Sequence, residues 1–372
     1  MLHPNCAVII SGVYLCVNHS FRKVGLVLGL AAMALAVGTG CGPQNPEPTA
    51  STAGSTGSTP SGKKLKVAIV FDSGGRGDKS FNDSADRGLD RAEKELGIEV
   101  LKVDSRSEKD YEGNLTGAAD QKADLVIAVG INMMSAVQKA APEYPDTKFA
   151  IIDAGVEAPN VRSLLFTEHE GSFLVGYLAG LMTKSNKLGF VGGQDLPLIK
   201  KFEIGYEAGA KMANPKVEVL PAKYTGDWNN IDVAKSAAGI LFGQGADIVY
   251  HAAGRAGLGV IKAAKEGGKY AIGVDSDQDE IEKGTVLTSM IKRVDEAVFQ
   301  TVQDLRDGKF AAGSKVYDLK AGGVGTSEFT YTKDKIGSAN LDKLKMIEER
   351  IKSGDIKVPQ TKEELASFKP AP

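Results

Sequence analysis

With 372 residues, a quarter of them charged and 42% hydrophobic, the chain has the composition of an ordinary folded protein, long enough for one large core or two medium ones. Its formal net charge is −2 and it carries no basic block or basic aromatic patch, so nothing in it points to nucleic acid. All three cysteines, Cys6, Cys16 and Cys41, precede the region that reads as folded, which leaves no disulfide or thiolate metal site there; His169 and His251 are too few for a zinc cluster.

Arg22 and Lys23 come before an apolar stretch, 24–37, and then Gly38-Thr39-Gly40 and Cys41. That is the charged, apolar, small-residue order of a secretory signal. It resembles a bacterial lipoprotein signal in which Cys41 becomes the lipidated first residue, although Gly38 stands where Leu is usual; the alternative is an uncleaved membrane helix. Residues 1–16 read poorly as signal, and Val17 is a plausible initiator. Residues 42–63 are almost all Pro, Ser, Thr, Gly and Ala, a composition that cannot pack and predicts a flexible tether. Lipid, tether and domain together predict a protein held at the outer face of a membrane.

From residue 64 onward strands and helices alternate. Strands are expected at 65–71, 99–103, 124–129, 148–152, 161–166, 188–192, 217–221, 247–251, 270–274 and 315–319. The helix over 80–96 opens with Ser80 as its cap, carries Phe81, Ala85, Leu89, Ala92 and Leu96 on one face and stops at Gly97. Helical patterns follow at 171–183, 199–213, 231–244, 256–267, 291–307 and 341–353. Such alternation predicts an α/β protein with parallel sheets flanked by helices, and ten strands fit two sheets better than one. After Asp275 the alternation breaks down, as expected where a chain crosses between lobes. Both lobes are therefore expected to be discontinuous: 64–167 plus about 277–314 in the first, 168–276 plus about 315–372 in the second.

Three apolar runs, 67–71, 149–152 and 271–274, stop on Asp72, Asp153 and Asp275. Ligands of open α/β sheets sit outside the carboxyl ends of the strands, where such carboxylates can accept hydrogen bonds from a hydroxyl-rich or NH-rich small molecule. The plainer reading is that they cap the next turn, and Asp104 after 100–103 shows that the pattern alone does not define a site. The densest polar loop runs from Asp72 to Asn82, Asp-Ser-Gly-Gly-Arg-Gly-Asp-Lys-Ser-Phe-Asn. Asp78 precedes Lys79-Ser80 where a phosphate-binding loop needs Gly, so nucleotide triphosphate binding is rejected. The Arg76-Gly77-Asp78 tripeptide is read as chance. Phe81 at the helix start is either a staple or a stacking face for a planar ligand.

The loop resembles the opening motif of the basic membrane protein (BMP) family, lipoproteins related to purine nucleoside receptors. The likeness continues through Phe166-Thr-Glu168-His-Glu170-Gly-Ser-Phe-Leu-Val-Gly-Tyr-Leu-Ala-Gly180, Gly189-Phe-Val-Gly-Gly193, Phe202-Glu-Ile-Gly-Tyr-Glu-Ala-Gly209, His251-Ala-Ala-Gly254 and Gly273-Val-Asp275. It implies a type I periplasmic-binding-protein fold, two lobes closing on a ligand, and delivery to an ABC transporter permease. It further implies that Phe81 and Phe202 sandwich a purine, that Asn82 and Asp153 read its edge, and that Asp275, Lys292 and the Gly254 turn hold ribose hydroxyls with Asp72 nearby. Phe202 also fits a core stripe with Ile199 and Tyr206, and Lys292 also fits a solvated helix charge. Glu168 and Glu170 suit a hinge, and His251 a structural role at a strand end. Gly130-Ile-Asn-Met-Met134 departs from the family's usual Gly-Phe-type turn, which leaves the base preference open.

The expected function is capture without chemistry by a monomeric receptor, with no catalytic residue, cofactor or metal. The alternatives are the same scaffold holding riboflavin or a sugar, a membrane-bound sensor, and a nucleoside-cleaving enzyme.

Overall fold

The computed structural model describes residues 64–369, so the signal, Cys41 and tether expectations fall outside the described residues. The first half runs β1 (Lys66–Phe71), α1 (Phe81–Leu96), β2 (Glu99–Asp104), α2 (Tyr111–Asp120), β3 (Leu125–Ala128), α3 (Met134–Glu143), β4 (Lys148–Ile152) and β5 (Val161–Phe166). The second runs α4 (Glu168–Met182), β6 (Lys187–Gly192), α5 (Pro197–Ala213), β7 (Glu218–Val219), β8 (Lys223–Tyr224), α6 (Ile231–Gly243), β9 (Ile248–Ala252), α7 (Leu258–Glu266), β10 (Tyr270–Asp275) and β11 (Val286–Lys292). The chain then returns for α8 (Val294–Arg306) and β12 (Gly313–Tyr317), and crosses again to β13 (Val324–Thr326), α9 (Lys333–Ile336), α10 (Ser338–Lys352) and α11 (Lys362–Ser367).

One sheet has the order β12-β5-β4-β3-β1-β2, all parallel. The other has the order β13-β11-β10-β9-β6-β7, with β8 also on β6 and only β13 antiparallel. Both share the doubly wound 2-1-3-4-5 logic, which reverses direction between β1 and β3 and between β6 and β9 and opens a crevice at each point. The central strands are continuous apolar runs because helices cover both faces: Val67 to Phe71 and Leu125 to Ala128 are fully buried. Three connections run side by side between the halves, with the Thr167 amide donating to the Tyr317 carbonyl (3.3 Å) and the Arg293 amide to that of Gly323 (2.9 Å).

The crossing segments differ from the sequence expectation. Residues 277–314 do not stay with the first half: β11 joins the second sheet and only α8, packed on α1, and the start of β12 belong to the first. Conversely β12 pairs with β5, although its residues from 315 onward were expected in the second lobe. β11 was hidden because Thr288, Ser289 and Lys292 interrupt its apolar pattern. The structure buries them with partners: the Ser289 amide donates to Ser327 Oγ (3.0 Å), which also lies 3.0 Å from Thr288 Oγ1. Lys292 is therefore the last residue of a strand, 1% exposed, not a solvated charge on the helix expected from 291. Helices α2 and α3 were not read either; α2 carries Gly113 and Gly117, and α3 contains Pro142.

Helices α4 and α5 pack in backbone contact, which fixes the second half's side of the crevice. A Cβ on Gly176 would lie 2.1 Å from the Tyr206 carbonyl oxygen, one on Gly205 2.2 Å from that of His169, and one on Gly209 2.0 Å from that of Phe173. The paired Gly176/Gly180 and Gly205/Gly209 spacings place small residues one turn apart on the facing sides. Gly209→Ala is expected to force the helices apart and cost at least about 1–3 kcal/mol, seen as a lower denaturation midpoint; an unchanged midpoint would show that the contact yields freely.

Candidate functional site

The carboxyl ends of β1, β3 and β4 face those of β9, β10 and β11 across one cavity. It contains about 590 Å³ of non-atom space, its open mouth included. Asp72, Phe81, Asn82, Asp153, Phe202, Gly254, Asp275 and Lys292, the candidates read from the sequence, all line it. Trp228, Arg255, Asn132, Asp78, Leu198 and Ile199 line it too and were not expected there. Trp228 is the chain's sole tryptophan, a signal that could have drawn attention. Asn132 sits in the 130–134 turn already noted as unusual.

The Asp72–Asn82 loop is organised by carboxylates. The carboxylate of Asp72 accepts from the Gly74 amide and from Asn82 Nδ2, both at 2.8 Å on Oδ1. Asp78, fully buried, accepts from the amides of Ser80 (2.8 Å), Asn82 (2.8 Å) and Asp83 (3.1 Å), so it anchors the start of α1. The expected cap, Ser80, makes no capping bond. Its hydroxyl instead crosses to the second half and donates to Asp275 Oδ2 at 2.5 Å. Asp78 is the better cap because it can accept several orphan amides at once.

Two of the strand-ending aspartates adopt left-handed backbone, φ +70° at Asp153 and +64° at Asp275. Aspartate tolerates this conformation better than most residues, though still at a cost, and such strain concentrates where a side chain must be aimed. Asp104, the counter-example, is paired on the surface with Arg76 at 2.6 and 2.9 Å.

Lys292 stands at the centre. Its Nζ lies 2.6 Å from Asp153 Oδ2 and 3.4 Å from Glu168 Oε1. It also lies 5.1, 5.0 and 5.6 Å from the ring centroids of Phe81, Phe166 and Phe202, within cation–π range. Burial works against its charge, but Asp153, Glu168 and Asp275 outweigh it and raise its pKa. Burial also raises Glu168 well above the usual carboxylate range, and it pushes both Asp72 and Asp275 up to about 6. Asp153 Oδ1 is buried without a hydrogen-bond partner, an acceptor available to a ligand.

Phe202 is 3% exposed in the core stripe with Ile199 and Tyr206 and also lines the cavity. Phe81, half-buried, reaches it from the opposite half. His251 lies behind the cavity, fully buried, with Nε2 3.0 Å from Gln278 Oε1 and burial lowering its pKa to about 4. Glu168 opens α4 directly after the first crossing between the halves.

Two parallel sheets joined by three crossings, with their strand ends turned toward a shared cleft, define the periplasmic solute-binding class of fold. The structure resembles a solute-binding protein of an ABC transporter system from Aeropyrum pernix, with a TM-score of 0.73 and 31% identity, covering 82% of this chain and 96% of that one. Residues 65–362 match the family described as ABC transporter substrate-binding protein PnrA-like, and the chain belongs to that family. Among curated relatives, basic membrane protein A of Borreliella burgdorferi is 35% identical over 312 residues, covering 82% of this chain and 90% of its own length. The ABC transporter nucleoside-binding protein BmpA of Lactococcus lactis is 34% identical over 350 residues, covering 86% and 96%. The chain is thus a substrate-binding protein of the BMP family, one that carries a small molecule to an ABC transporter.

Proposed function

We propose that the chain captures purine nucleosides outside the cytoplasm, anchored through a lipid on Cys41, and hands them unchanged to an ABC importer. The observation that carries this reading is the pairing, in one cavity, of phenyl rings from opposite halves with carboxylates at three strand ends. Flat rings suit the first, and a polyol's donors suit the second. The nucleoside-binding relative in Lactococcus lactis supports the cargo, and relatives named as membrane proteins and lipoproteins support the location. One chain supplies all the cavity residues, so a monomer suffices.

A thermal-shift panel of nucleosides, free bases, riboflavin and pentoses tests the cargo, since any ligand in excess raises the melting temperature by mass action. Purine nucleosides are expected to give the largest shift, and inosine to be recovered without release of hypoxanthine. By calorimetry, Phe81→Ala and Asp275→Ala are each expected to weaken nucleoside binding at least about tenfold, the loss of one stacked face or of one charged acceptor, with cooperative melting retained. Unchanged affinity in both variants overturns the site.

A further inference from the structure

The Gly-rich loop after β1 is wired in the opposite sense to a phosphate-binding loop, which turns its amides out toward an anion. Here the amides are spent inside the first half. Those of Gly74 and Ser80 go to Asp72 and Asp78, those of Gly77 and Lys79 to Asp83, and that of Ser73 to the Tyr111 hydroxyl. The carbonyls face the second half, and side chains from that half take them. Arg255 Nε donates to the Gly74 carbonyl (3.1 Å) and Nη2 to that of Arg76 (2.7 Å). Asn229 Nδ2 donates to Ser73 O (2.6 Å), Gln278 Nε2 to Lys79 O (3.1 Å) and Ser276 Oγ to Ser80 O (2.8 Å).

A row of carbonyls calls for a donor-only group, and a planar guanidinium can span two of them where an ammonium cannot. Gly75 and Gly77 adopt φ +67° and +85°, left-handed backbone that favours glycine and shapes the loop whose carbonyls the guanidinium reaches. Arg255 directly follows Gly254 in the turn after β9, so the same turn that lines the cavity also grips the loop carrying Asp72, Phe81 and Asn82.

We propose that Arg255 is a positioning residue which clasps the Gly-rich loop across the cleft, holds the halves closed and thereby sets how fast cargo leaves. The clasp uses only protein groups, so it acts with or without cargo, and only the kinetic half of its test rests on the nucleoside reading. Trp228 reports on it: this single tryptophan is half-buried beside the clasp, and its carbonyl accepts from the Ala256 amide at 2.9 Å.

The test compares the full chain with Arg255→Ala and Arg255→Lys. Without cargo, Arg255→Ala is expected to raise acrylamide quenching of Trp228 while melting stays cooperative. With adenosine, guanosine or inosine in stopped flow, its dissociation rate is expected to rise about tenfold or more, with the association rate within about threefold, because interface losses fall mainly on dissociation. Arg255→Lys, able to reach only one carbonyl, is expected to fall between. Quenching that rises while no nucleoside binds any of the proteins supports the clasp and removes the nucleoside reading. An affinity lost with cargo-free quenching unchanged means that Arg255 touches cargo directly, and overturns the clasp. Wild-type quenching and wild-type dissociation together overturn it as well.

Discussion

Lys292→Met lowers the melting temperature by roughly 6–20 °C and removes measurable nucleoside binding, if the buried charge cluster is what the geometry makes it. Methionine keeps most of the length and apolar bulk, so the loss is chiefly that of charge. Nζ lies 2.6 Å from Asp153 Oδ2 and 3.4 Å from Glu168 Oε1, with the lysine 1% exposed. Removing one partner of a buried ion pair costs about 3–5 kcal/mol, because the other charge is left uncompensated, and in a domain of this size each kcal/mol shifts melting by about 2–4 °C. Glu168→Gln, by contrast, leaves Lys292 with Asp153 and removes a carboxylate that burial already holds well above its usual pKa, so it is expected to cost less stability than Lys292→Met. Introduced on top of Lys292→Met, it is expected to recover part of the loss. The deficit also depends on pH. Burial already raises Glu168, and without Lys292 it rises further; its folded pKa then exceeds the unfolded one, so stability is present in acid and lost as pH rises through the folded value. The Lys292→Met deficit should therefore be smaller near about pH 5 than near about pH 8. A deficit that is flat across that range, or no deficit, would mean that the cluster is well hydrated and contributes little.

The ends of the apolar strands were the most legible part of the chain. Runs such as 67–71 and 271–274 look like strands covered on both faces, and as strands they carry Asp72 and Asp275 to the cleft by topology. Phe81 and Asn82 followed because a short Gly-rich loop ties them to Asp72. Lys292 was misplaced onto a helix for a physical reason: polar residues interrupt the apolar pattern of its strand, and only tertiary partners make Thr288, Ser289 and Lys292 buriable. Trp228, Arg255 and Asn132 were missed for another. They reach the cavity from loops, where no periodicity fixes the direction of a side chain. The bonds by which Arg255, Asn229, Gln278 and Ser276 hold the Gly-rich loop were invisible because their acceptors are carbonyls, which every residue supplies and no sequence distinguishes. Conversely, the close approach of α4 and α5 was written plainly in the Gly176/Gly180 and Gly205/Gly209 spacings, yet it reads as packing only once the two helices are seen to touch.

Nucleoside affinity is expected to fall in acid while the cargo-free fold does not weaken with it. Asp72 and Asp275, pushed up to about 6 by burial, line the cavity and accept most strongly from cargo hydroxyls when ionised. Cargo then favours the deprotonated forms, and affinity drops as pH falls through about 6. At about pH 5 the loss is about tenfold if one carboxylate must ionise on binding, and about a hundredfold if both must. For stability the same aspartates act in the other direction. Their folded pKa exceeds the ordinary 3.8, so they stabilise the fold below that value and lose the contribution as pH rises through about 6. His169 and His251 oppose them: burial holds both near 4 against an ordinary 6.5, so their contribution is present above that value and lost as pH falls toward 4. Glu168 and Asp279, which burial raises well above the carboxylate range, side with the aspartates, so the raised carboxyls outweigh the two histidines and cargo-free stability should hold or rise as pH falls from about 7 to about 5. Calorimetric titrations across that interval, paired with cargo-free melting curves, separate the two effects. Asp275→Asn is expected to bind more weakly at neutral pH and to show a shallower acid dependence, since one titrating acceptor remains. An affinity independent of pH in the wild type would mean that neither carboxylate has to ionise for cargo to bind, and the strand-end aspartates would then lose the role assigned to them.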